Sequence, residues 1–160
     1  MTTPQNDEIR NQLRVTNTIF FALIIGMLLF FSIIMVLIQG RFQAADIDVD
    51  KIFTFAVPIL GLVMMYVSRM IYNQRINKFD QTVTLLQKIS YYRTAKIISW
   101  ALIESACFFA LVATMLTSNY LYVAVFVFLL GYFFLMKPSK ESFIRDMRLN
   151  SDESDLILRS

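Results

Sequence analysis

Read for apolar and polar positions, the chain divides into long charge-free runs joined by polar connections. No charged residue occurs between Arg14 and Arg41, between Lys51 and Arg69, or between Glu104 and Lys137. A helix rises about 1.5 Å per residue, so crossing a hydrocarbon layer of roughly 30 Å takes about 20 mostly apolar residues. The last run holds about one and a half such crossings and is interrupted at "TSNY", Thr117 to Tyr120. The pattern therefore predicts four transmembrane helices, over about 15–38, 52–72, 95–116 and 120–136. In lipid the backbone must satisfy its own hydrogen bonds, and runs of this length do so as helices rather than barrel strands. The expected fold is an all-α integral membrane protein, with a four-helix domain over 1–136. The first run is far longer than the 7–15-residue core of a signal peptide and reads as an uncleaved anchor.

The connections carry their own patterns. In 73–95, Phe79, Val83, Leu86 and Ile89 recur at helical spacing, which predicts a helix capped by Asp80 or Thr82. "LLQKISYYRTAK" then enters the third run without Gly or Pro. The third helix is thus expected to begin well outside the hydrocarbon and extend into the cytoplasm. Beyond the fourth run, Pro138 precedes Ser139, a candidate cap, and Phe143, Ile144 and Met147 share one face. This predicts a short surface-lying amphipathic helix within 137–160, followed by a polar, mobile tail. In the first connection Asp46, Asp48 and Asp50 alternate. The glycine and the late glutamate of a calcium loop are missing, so Asp50 reads as a cap of the second helix.

Composition agrees with a membrane protein. Hydrophobic residues make up 57% and charged residues 17%, against roughly 45–50% and about 25% in soluble domains. The net charge of +3 acts through its distribution. Placing both termini in the cytoplasm puts thirteen of the fifteen Lys and Arg residues on that side, leaving only Arg41 and Lys51 outside. This is the arrangement the positive-inside rule expects. The basic residues are spread over helix ends, where anionic headgroups lie within reach. They form no aromatic-interleaved patch, and no nucleic-acid partner is expected.

Much chemistry is missing. There is no histidine and one cysteine, Cys107, and the glycines are Gly26, Gly40, Gly61 and Gly131. His-based metal sites, Ser-His or Cys-His catalysis and a phosphate-cradling loop are therefore not expected. The reading is of a non-enzyme without a cofactor.

The remaining candidate is Glu104, alone among the apolar residues of "ISWALIESACFFALV". An ionised group at midspan costs about 2.5–3.5 kcal/mol on the insertion scale, and each Leu, Ile, Phe or Val returns about 0.3–0.6. The nine such residues between Ile97 and Leu116 offset the cost, returning roughly 3–5 kcal/mol. Glu104 is a possible ion or proton site, with Arg69 as the nearest intramembrane cation. Small residues mark expected helix packing: Ala22 and Gly26 in the first helix, Pro58 and Gly61 in the second, Ala124 and Gly131 in the fourth. In the third, Ser99, Ala106, Ala110 and Ala113 cluster within about 60°. This stripe is expected to meet Ala124 and Gly131 across a tight hairpin. Glu104 lies opposite the stripe, at a depth like that of Gly26 and Gly61, and is expected to face the first two helices.

"ALIESACFFALVATML" resembles the carboxylate helix of ATP-synthase proteolipid (c-type) subunits, over about Leu86 to Asn119. That resemblance implies Glu104 as an H⁺ or Na⁺ site. The family's glycine-repeat helix has no counterpart here, and its two spans differ from four. Small multidrug transporters are similar only in having four helices and one membrane glutamate. The whole pattern, with "ALIES" in the third helix and "KPSKESFIRDM" after the fourth, is similar to small four-span bacterial inner-membrane proteins. It implies a multi-pass protein of the bacterial plasma membrane. Two functions are expected: a membrane subunit or scaffold, partnered by lipid and by itself or a larger complex, or a small proton- or cation-coupled transporter using Glu104.

Overall fold

In a computed structural model the chain is all α-helix, and residues 4–39, 47–79 and 82–159 are described. The elements are α1 (Pro4–Gln39), α2 (Ile47–Asn77), α3 (Leu85–Thr117), α4 (Leu121–Leu135), α5 (Lys140–Asp146) and α6 (Ser151–Arg159). Among the described residues three helices, α1, α2 and α3, are long and apolar enough to cross a membrane unaided. The 15-residue α4 is a fourth candidate when taken with α5, which bends away from it by 74°. Arg41, Asp46, Gly40 and Asp80 lie outside the described residues.

The helices run up, down, up, down. The start of α2 meets the α3–α4 turn, where Asn119 donates to the Asp50 carboxylate at 3.1 and 3.2 Å. Near the other end of α2, Ser68 meets Ser99 of α3, and Tyr72 donates to Asp146 at 2.6 Å. Ser118 closes α3 in the left-handed region, with φ 54°. Its N–H donates to the Thr114 carbonyl at 2.8 Å, and the Asn119 side chain then accepts the N–H of Leu121 at 2.9 Å. Asn commonly shapes such turns because its short side chain can replace a backbone partner.

α3 is the central helix. Half of its apolar window is buried, against 22% in α1 and 17% in α2. α1 packs on α3 and α4 through rings. Phe20 stacks on Phe133 with centroids 5.1 Å apart, Phe31 stacks on Phe126 at 5.2 Å, and Phe30 meets Phe108 edge-on at 5.1 Å. Such ring pairs add roughly 0.5–1.5 kcal/mol each to the contact. The outer sides of α1 and α2, including Leu29, Val36, Phe55, Leu62 and Tyr66, are exposed. In lipid these large apolar side chains are solvated rather than stranded.

A second core lies beyond the apolar runs, where α1 begins and α3 begins. It joins Ile9, Leu85, Ile89 and Tyr92 to Phe143 and Met147 of the α5 segment and Ile157 of α6. Here the structure departs from the expectations in three ways. The stripe of Phe79, Val83, Leu86 and Ile89 does not form one helical face, because Phe79 and Val83 lie outside the helices, between α2 and α3, and the buried face of α3 there is Leu85, Ile89 and Tyr92. α3 starts after Thr84, whose N–H donates to Gln87 Oε1 at 3.3 Å, and not at Thr82. The chain end is a docked helix: Ile157 is fully buried and Lys88 donates to the Glu153 carboxylate at 2.8 and 2.9 Å. Ser139 does cap α5, accepting the Ser142 N–H at 3.1 Å, and α5 packs on the protein through Phe143 rather than lying free on a surface.

Candidate functional site

Glu104 sits near the middle of α3 and is half-buried. At about 100° per residue it lies roughly 140° from Ser99 and roughly 40° from Phe108. Ser99 faces α2 and Phe108 faces α1. Glu104 therefore stands on the α1 side of α3, at the edge of the exposed arc that holds Ala101 and Ser105. It does not face α2. Among the described residues its carboxyl group has no hydrogen-bond or ion-pair partner.

Arg69 does not approach it. The Arg69 side chain is exposed and lines a cleft with Tyr72, Lys96, Tyr132 and Asp146, on the α2–α4 side of the bundle. The two groups flagged as a pair are thus on different faces of α3. Their sequence depths put them within a few residues of one another, but helix phase separates them.

The small residues also sort differently. Ser99, Ala106, Ala110 and Ala113 are all buried, on the face that meets α2 through Ser99. Ala124 and Gly131 are exposed, so the stripe does not meet them. Ala124 instead borders a groove between α2 and α4 that also holds Pro58 and Gly61. Among the described glycines, Gly61 is the one whose missing side chain matters to packing, since a Cβ there would stand 3.4 Å from two methyl carbons of Leu129. A Cβ at Gly26 or Gly131 would touch nothing within 4 Å. Ala22 lines an outward groove on α1 with Phe21 and Ile25. Gly26, Gly61 and Glu104 accordingly form no shared cluster.

Three polar contacts, whose partners the residue pattern did not give, hold the bundle. The Asp50 carboxylate lies inside the first turn of α2 and accepts from Tyr122 at 2.6 Å as well as from Asn119. It ties helices together instead of serving as a simple cap. Within the apolar layer, the Ser68 and Ser99 hydroxyls are 2.6 Å apart and the Ser68 hydroxyl reaches the Ser99 carbonyl at 3.0 Å. Toward the second core, the Lys96 ammonium lies 4.6 Å from the centre of the Tyr72 ring and 5.4 Å from that of Tyr92. Cation–π contacts of this kind help to hold a buried ammonium. Ser and Tyr in helices have so many alternative partners that only the packed structure selects these.

Comparison with protein-family models, with curated proteins and with solved structures finds no match. The chain is thus placed by its own features, as a small membrane protein with three to four long apolar helices.

Proposed function

We propose that this chain is a non-enzymatic membrane subunit or scaffold of the bacterial plasma membrane, joined to a second copy or to a larger complex through the α1–α3 face. The observation that carries the reading is the half-buried Glu104 at the lipid-facing edge of α3, with no partner of its own chain among the described residues. A carboxyl group at that depth is costly unless it bonds, and helices in lipid associate through just such polar groups. A cytoplasmic stalk is the weaker candidate for the contact. Its apolar face is already covered by α5 and α6.

Native mass spectrometry from gentle detergent tests the proposal. The expected result is an oligomer or a stable complex that Glu104→Ala dissociates and Glu104→Gln largely retains. A wild-type chain that is monomeric and alone at all concentrations overturns it. The same carboxyl group supports a second reading, a proton- or cation-coupled transporter, which the c-type resemblance of α3 also favours. That reading requires proton-dependent flux in liposomes that Glu104→Gln abolishes while assembly persists.

A further inference from the structure

We infer that the basic end of α1 holds the phosphate headgroup of an anionic phospholipid, with an acyl chain lying along α1. Two adjoining hollows carry this. The first, of about 220 Å³, lies between α1 and the α4–α5 junction; Arg10, Arg14, Asn17 and Lys140 line it together with Leu13 and Pro138. The second is an open groove that begins at the same Arg14 and Asn17 and continues past Phe21 to Ile25. One end is thus cationic and hydrogen-bonding, and the other is apolar. They share two residues.

The position along the chain fits the ligand. Arg14 is the last charged residue before the apolar run of α1, and none follows until Arg41. The junction of the hollows therefore falls where hydrocarbon gives way to headgroups. Charge fits as well. No carboxylate lies in the lining of either hollow, and among the described residues none of the three cations has a carboxylate within 4 Å. A fourth cation, Lys137, stands 5.7 Å over the Phe21 ring, beside the groove. Arg forks bind phosphate oxygens bidentately, whereas a zwitterionic headgroup would bring its own ammonium into the same cationic hollow. A free phosphate would leave the groove unused, so the lipid is the occupant favoured.

The full chain in nanodiscs or detergent tests this by native mass spectrometry with phosphatidylglycerol, phosphatidylcholine and glycerol 3-phosphate as separate probes. Wild-type protein is expected to retain phosphatidylglycerol over phosphatidylcholine, and to retain glycerol 3-phosphate poorly. Arg10→Gln/Arg14→Gln is expected to lower phosphatidylglycerol retention roughly thirtyfold, the two cations contributing about one kcal/mol each. Arg75→Gln/Lys78→Gln, which removes equal charge elsewhere, is expected to change little. Lys140→Gln alone gives an independent, smaller loss should the double variant fold poorly. Equal retention of both lipids, equal loss in the control pair, unchanged retention in both hollow variants, or glycerol 3-phosphate binding as well as the lipid would overturn the inference.

Discussion

At the scale of single residues, a pair of hydroxyls and Gly61 show how this bundle packs. Ser68 and Ser99 differ in what each can still do alone. The Ser68 hydroxyl can donate to the Ser99 carbonyl at 3.0 Å, while the Ser99 hydroxyl reaches the Ser68 carbonyl only at 3.4 Å. Ser68→Ala should therefore destabilise more than Ser99→Ala, and a double-mutant cycle in detergent unfolding should give a coupling of about 0.5–1.5 kcal/mol. Zero coupling would mean that the pair does not join the helices. Gly61 and Gly131 make a second contrast. Gly61→Leu should destabilise by about 1–3 kcal/mol through Leu129, and Gly131→Leu should be close to neutral because residue 131 is exposed and a Cβ there would meet nothing within 4 Å. Sequence reading treated the two glycines alike. Spacing marks a small residue, but only the neighbour across the gap decides whether the space is used.

At the scale of elements, the apolar runs were legible because lipid imposes a length on them, and α1, α2 and α3 each contain the expected span. The docking of α6 was not legible. Its sequence is polar on average, and its contact depends on Lys88, sixty-five positions away. That ion pair is well shielded, with side-chain exposures of 6% and 18%. Removing one partner of a shielded pair strands the other, so Glu153→Gln should release α6 at a cost of about 1–3 kcal/mol. Hydrogen exchange over 151–159 should speed up accordingly, and Lys88→Glu/Glu153→Lys should restore part of the protection. At the opposite end, Tyr122→Phe removes the 2.6 Å bond to Asp50. Thermal unfolding should show a loss of about 1–3 kcal/mol, with no comparable effect of Tyr120→Phe, whose side chain is exposed.

At the scale of the whole molecule, the chain ends converge: Ile9 near the start of α1 and Ile157 in α6 share one core, while Asp50 and Asn119 meet at the far end. The proposal that this shared core faces the cytoplasm rests on the distribution of basic residues rather than on packing. In a Cys107→Ala background, Ser154→Cys should label only from the cytoplasm and Asp48→Cys only from outside; the reverse pattern would invert the threading. Thickness is the other global property. The 15 residues of α4 span about 22 Å at 1.5 Å per residue, well short of a hydrocarbon layer of roughly 30 Å. α1 and α3, at 36 and 33 residues, have length to spare. A short helix held against long ones is matched by thinning the bilayer on its own side, by drawing polar anchors inward or by association with another helix. Its flanks provide such anchors, with Tyr120 before it and Lys137 just after it, where α5 turns away. The protein should therefore be more heat-stable in nanodiscs of short-chain lipids than in long-chain ones of the same headgroup. Lengthening α4 by one turn should move that optimum toward thicker bilayers. An optimum unmoved by the insertion would place the mismatch elsewhere than α4.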